Sequence, residues 1–135
     1  MRLLLDTNVL IWTLLTPDRL LATPREAIED GANEIFVSIA SPWEIAIKRS
    51  RANLNPPNDL DVQLTEKRFS LLPISLQHTR AIESLPHHHG DPFDRMLVAQ
   101  AQTDGLTIVT SDRKIARYQV AVMRATRRGP ASGTG

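Results

Sequence analysis

The chain of 135 residues contains no cysteine. Disulfides and thiolate metal sites are therefore excluded, and the composition fits a reducing compartment, so the cytoplasm is the expected location. Aromatic residues make up only 4% of the chain, too few for a row of base-stacking platforms. No apolar run approaches the roughly 20 residues that cross a bilayer, and no membrane association is expected. The opening Met1-Arg2-Leu3-Leu4-Leu5 has the look of a signal peptide, but Asp6 and Asn8 interrupt it and no small-residue cleavage site follows. Internal repeats are absent. So is a strong charge of one sign: the net charge is +1, which does not by itself mark a nucleic-acid binder.

What remains is an ordinary globular composition, 41% hydrophobic and 23% charged, of a length that fits one domain with a real core. That domain is expected over residues 1–125, followed by a Gly-, Ser- and Pro-containing tail, 126–135, expected to be disordered. Cations cluster late: Arg113, Lys114, Arg117, Arg124, Arg127 and Arg128 follow one another with no acid between. A second knot is Lys48, Arg49 and Arg51. Both read equally well as solvated surface and as a face for phosphates.

Apolar runs and helix signals alternate along the chain. Residues 3–5, 35–37 and 107–110 read as buried strands, 71–74 as a short edge strand stopped by Pro73, and 120–123 as a last strand. Helices are expected over 9–15, from Thr23-Pro24-Arg25-Glu26 to about Gly31, from Ser41-Pro42-Trp43-Glu44 to about Ser50, over 60–68 and over 76–85. Another opens at Asp91-Pro92-Phe93-Asp94 and stops at Gly105, and a short one follows Ser111-Asp112. Residues 53–61, with Pro56-Pro57, read as a loop, as do 87–90. The alternation predicts an α/β fold with a mostly parallel sheet.

Ligands of such sheets sit at the carboxyl edge of the strands. Four acids fall there. Asp6 closes the first strand, Glu44 opens the helix after the second, and Asp112 follows the strand at 107–110. Asp94 opens the helix that turns tightly at Gly105 into that same strand, so helix and strand run antiparallel. A helix of that length spans about 20 Å, which leaves its start, not its end, beside Asp112. Carboxylates gathered in this way repel one another or take up protons unless a divalent cation holds them, and a water-accessible cation suits phosphodiester chemistry.

Each acid also has a plainer reading. Asp6 and Asp112 can be caps, Glu44 is the third residue of a capping box headed by Ser41, and Asp94 stands in the same relation to Asp91. Asp91, before Pro92, is most simply a cap. His87-His88-His89 lacks metal-ligand spacing and reads as a loop touching substrate or partner rather than a zinc or nickel site. Trp43 reads as core or interface, and Met96 and Leu97 as core.

The segments Leu4-Leu5-Asp6-Thr7-Asn8, Ser41-Pro42-Trp43-Glu44, His88 through Ala101 and Val109-Thr110-Ser111-Asp112 together resemble a PIN domain. More narrowly, they resemble a toxin of the virulence-associated protein C (VapC) type, over roughly residues 1–123. The resemblance implies a three-layer α/β/α fold and endoribonuclease activity dependent on Mg2+ or Mn2+. It also implies a small antitoxin partner and a homodimer. Asp6, Glu44, Asp94 and Asp112 match the family's acidic quartet, with Asp6, Asp94 and Asp112 as metal ligands. Asn8 and Ser111 match supporting polar positions, and the fourth acid, here Asp112, varies most. Arg95, Arg113 and Lys114 are candidates to touch the RNA backbone. Three alternatives stand beside this. A phosphatase of the two-aspartate type would carry an acid where this chain has Asn8. A silent binding module and an RNA-processing nuclease without an antitoxin remain open.

Overall fold

In the computed structural model, which describes residues 1–51 and 59–127 (the side chain of Arg51 excepted), the sheet is built on three leucines. Leu3, Leu4 and Leu5 are wholly buried in the first strand, β1 (Arg2–Leu5). Successive side chains of a strand point to opposite faces. Leu3 and Leu5 accordingly join one apolar cluster and Leu4 the other. β2 (Glu34–Ser38) divides in the same way, with Ile35 and Val37 on the first face and Phe36 on the second. A strand buried on both faces needs a helical layer on each side. The first layer includes α1 (Thr7–Leu15) and α2 (Ala22–Glu29), and the second α5 (Leu76–Glu83) and α6 (Pro92–Asp104). α3 (Ala40–Arg51) and α4 (Leu60–Glu66) link β2 to β3 (Ser70–Leu72). The expected α/β/α architecture is what the chain adopts.

The sheet order is β3-β2-β1-β4-β5, with β4 (Thr107–Thr110) and β5 (Ala121–Arg124) on the far side of β1. All four strand pairings among the described residues are parallel. From β1 the chain builds outward through β2 and β3, then crosses back to β4. The reversal lies between β1 and β4, where loops diverge and leave a crevice at the carboxyl ends. β3 is an edge strand, as expected, but it ends before Pro73 instead of reaching Ile74.

Three local expectations are corrected. Thr23 does not cap α2: the helix starts at Ala22 after Leu21, whose N–H is bonded to the Ala125 carbonyl at 2.9 Å. This tertiary bond sets the entry of the chain, and Pro24, in the first turn, lacks only an N–H that would have had no helical partner. Ser41 does not cap α3 either, because that helix begins at Ala40, whose N–H donates to Ser38 Oγ. Ser41 lies buried inside the first turn and meets Thr7 Oγ1 at 2.9 Å. The helix expected after Asp112 is a single 3-10 turn, Ile115–Arg117. By contrast, Asp91 caps α6 and Gly105 ends it at φ 68°, a left-handed value that favours glycine. The loop expected at 53–61 lies largely outside the described residues, as do Arg128 and 129–135 of the expected tail. Thr126, by contrast, packs with its hydroxyl 2.7 Å from Ser111 Oγ. Among the described residues no helix is long and apolar enough to cross a membrane.

Candidate active site

Four elements deliver one acid each to the crevice between β1 and β4. Asp6 is the residue after β1 and the cap of α1: its Oδ1 accepts the Val9 N–H at 2.7 Å. Its other oxygen, Oδ2, accepts the Thr110 hydroxyl at 2.5 Å. Thr110 Oγ1 in turn accepts the Asp112 N–H at 2.9 Å, so one β4 hydroxyl ties the first acid to the last. Capping and site-building are thus not rival uses of Asp6; each takes one oxygen.

Glu44, on the first turns of α3, is buried. Its Oε1 accepts the Thr7 hydroxyl at 2.7 Å and its Oε2 pairs with Lys48 Nζ at 2.8 Å. The capping-box reading fails here, since Ser41 is not the cap. Asp94 follows Asp91 on α6, and Asp91 Oδ1 takes the N–H groups of both Phe93 and Asp94, at 2.8 and 3.2 Å. The cap being filled, the Asp94 side chain is left to line the cleft. Asp112 sits in the turn after β4, its Oδ1 accepting the Lys114 N–H at 2.8 Å.

All four acids line one cleft of about 100 Å3, together with Asp91 and the exposed Lys48. A larger hollow, about 350 Å3, lies between α1, α2 and the end of α4, with Arg25, Glu29, Glu66 and Lys67 on its walls. Its charges balance and none of the four acids reaches it, so the acids gather in the smaller of the two hollows.

Crowding shows in the protonation of the cleft. Burial first, then Asp91, Asp6, Asp112 and Glu44, raise the Asp94 pKa to about 8. Burial raises Asp6 to about 6; the Thr110 and Val9 hydrogen bonds oppose the rise and Asp112 and Glu44 add to it. Two carboxyls that favour a proton without a cation, among oxygen donors with an opening to water, fit a divalent metal ion.

The remaining expected residues are distributed as follows. Asn8 is exposed at the cleft rim, and Ser111 lines the cleft while its hydroxyl meets Thr126. Arg113 is exposed beside Asp112. Arg95 does not line the cleft: its guanidinium donates to the carbonyls of Ile82, Leu85 and Pro86 and to Tyr118 Oη, so it closes the end of α5. Trp43 is 58% exposed rather than core, edge-on to Phe93 at 4.9 Å. Leu97 is core and Met96 half-buried. Sequence reasoning missed Thr7, Thr110 and His89. His89 Nε2 lies 2.7 Å from Asp112 Oδ2 and 3.0 Å from Asp94 Oδ2. His87 is exposed and His88 stacks edge-on against Tyr118, so only one of the three consecutive histidines faces the acids. The signal for His89 was its place two residues before the cap of α6.

Comparison with known proteins agrees with this fold. The family model described as the PIN domain matches residues 3–121. Ribonuclease VapC22 of Mycobacterium tuberculosis is 30% identical over 119 residues, covering 86% of this chain and 91% of that protein. Among solved structures, VapBC2 from Rickettsia felis bound to a DNA fragment from its promoter superposes with a TM-score of 0.71 at 18% identity, over 93% of this chain and 99% of that one. DNA-bound VapBC from Salmonella typhimurium superposes at 0.67 with 20% identity, over 91% and 97%. The two structures share the fold.

Proposed function

The chain belongs to the PIN domain family, and from that premise we propose that it is a metal-dependent endoribonuclease, the toxin of a toxin–antitoxin pair. One observation carries the reading: Asp6, Glu44, Asp94 and Asp112, from four separate elements, share one cleft with an opening to water. The ribonuclease named among its relatives, and the VapBC complexes that share its fold, support the substrate and the antitoxin partner. Residues 1–125 form the nuclease domain, acting in the cytoplasm and as a homodimer.

Asp6, Asp94 and Asp112 would hold the cation. A bound Mg2+ or Mn2+ supplies Lewis-acid charge that lowers the pKa of water and offsets charge gathering on the phosphate. The protein's own residues do the rest. Thr110 and the Val9 N–H fix Asp6 in one orientation. Thr7 and Lys48 fix Glu44, each using one of its oxygens, and the remaining lone pairs can orient water and accept its proton. Lys48 brings a cation to the rim where a phosphate would enter. Arg113 and Lys114, exposed beside Asp112, lie where the RNA backbone would continue. Asn8 and Ser111 border the same opening and Asp91 holds the helix that presents Asp94.

The test is incubation of the purified protein with total cellular RNA, with and without Mg2+ or Mn2+, and mapping of new 5′ ends. Cleavage should need the metal and should vanish in Asp6→Asn and Asp94→Asn proteins that remain folded. Cleavage that persists in excess chelator contradicts the scheme. Growth arrest on expression, relieved by a small protein encoded next to this one, would support the toxin role.

A further inference from the structure

His89, Asp94 and Asp112 offer ligand atoms all within 4.8 Å of one another, a set that could itself hold an ion. The obvious inference is that His89 is a fourth metal ligand. The ring's other nitrogen argues against it. His89 Nδ1 lies 3.1 Å from the backbone N of Asp91, which donates to it. An amide N–H can only donate, so Nδ1 carries the lone pair and the proton of the neutral ring sits on Nε2. A ligating nitrogen must present a lone pair to the ion, and ligating histidines donate their other ring N–H outward. The polarity here is reversed.

We propose that His89 is a positioning residue: its Nε2–H bridges Asp94 and Asp112 and the ring stays outside the metal's coordination shell. The proposal rests on the reading of the cleft as a cation site. The N–H donates to Asp112 Oδ2 at 2.7 Å and faces Asp94 Oδ2 at 3.0 Å, so one donor spans the two carboxyl groups. Binding an ion through Nε2 would move the proton to Nδ1 and set it against the Asp91 N–H. That would leave the Asp91 N–H without its acceptor, at the residue that caps α6 and presents Asp94. The loop is fixed in this orientation from behind as well. The N–H groups of His88 and His89 both reach Tyr118 Oη, at 3.2 and 3.0 Å, and Tyr118 is buried. His78 has the same polarity: Nδ1 accepts the Ser75 N–H and Nε2 faces Asp104, at the opposite end of α6 from Asp94. It provides an internal reference.

The first measurement is the 15N imidazole spectrum of the metal-free protein, with His89 assigned by its loss in His89→Gln. His89 should match His78, protonated at Nε2 and bare at Nδ1; a proton on Nδ1 overturns the proposal. The second is pulsed electron paramagnetic resonance of the Mn2+-loaded protein. No directly bonded 14N coupling is expected, and a coupling that His89→Gln removes overturns the proposal. The third is Mn2+ affinity by calorimetry. His89→Gln, which keeps an N–H donor, should stay within about threefold of wild type, whereas His89→Ala should weaken binding on the order of tenfold or more. Equal losses in both variants would count against a donor role. If Mn2+ does not bind at all, the nuclease reading falls, while the tautomer in the metal-free protein still decides whether His89 is a donor.

Discussion

Removing the charge of Asp94 should make the metal-free protein more stable at alkaline pH. In the folded protein its pKa rises from 3.8 to about 8, through burial and the neighbouring carboxylates. For an acid whose folded pKa is raised, the native state holds a proton that the unfolded chain has already lost. Between about pH 4 and pH 8 the native state therefore binds more protons, and stability falls as pH rises through that window. Each pH unit is worth about 1.4 kcal/mol, so full ionisation of Asp94 would cost on the order of 5 kcal/mol. Asp6 shares the cleft, and a proton on either acid relieves the other, so their contributions are coupled. Asn at position 94 also forgoes a negative charge near the start of α6, which costs about 0.3–1 kcal/mol. It forgoes no cap, because Asp91 fills that role. The expected net effect is about 3 kcal/mol of stabilisation in Asp94→Asn at pH 8.5 and less than about 1 kcal/mol at pH 4.5. Urea unfolding followed by circular dichroism, on protein dialysed free of divalent ions, measures it. Saturating Mn2+ should close the gap by stabilising only the wild type. An Asp94→Asn protein that is less stable than wild type at every pH would refute the reasoning and restore the capping role.

Three further outcomes are expected. Mn2+ binding at pH 7 should release about one proton, chiefly from Asp94, read from the dependence of calorimetric heat on buffer ionisation enthalpy; no release would mean that Asp94 is already ionised. Thr110→Val removes the donor to Asp6 and the acceptor of the Asp112 N–H, so the Asp6 pKa should move above about 6 in a carboxyl NMR titration. The same substitution should cost roughly 1–3 kcal/mol of stability, from the N–H left unpaired. Arg95→Ala should lower stability by about 2 kcal/mol through lost bonds to the end of α5, with RNA affinity unchanged; intact stability with weakened RNA binding would return Arg95 to the substrate face.

Much of the site was readable because caps and strand ends are local. Asp91-Pro92 before an apolar helix, and Gly105 after it, set both ends of α6 without reference to the rest of the chain. Given one parallel sheet, the strand-end position of Asp6 and the antiparallel return of α6 were enough to bring Asp6, Asp94 and Asp112 to the same edge. The plainer readings failed where a distant partner competes with a local one. Ser41 has the sequence of a cap, yet Thr7 claims its hydroxyl across 34 residues. Thr23 likewise has a cap's sequence, yet a bond from Leu21 to Ala125 sets the helix start. Arg95, beside a cleft acid, has a phosphate-binding residue's address, but helical geometry turns it toward carbonyls at and just past the end of α5.

By itself the sequence determined the order and kind of the elements, the parallel sheet and the edge on which the acids lie, because periodicity and capping act within one or two turns of chain. Only the tertiary structure decided that β4 lies beside β1, and with it that Thr110 meets Asp6 across 104 residues, Thr7 meets Glu44 and His89 meets Asp112. Such contacts depend on which strand becomes whose neighbour. That choice is made by burying both faces of the sheet at once, a property of the whole chain that no short window of residues carries.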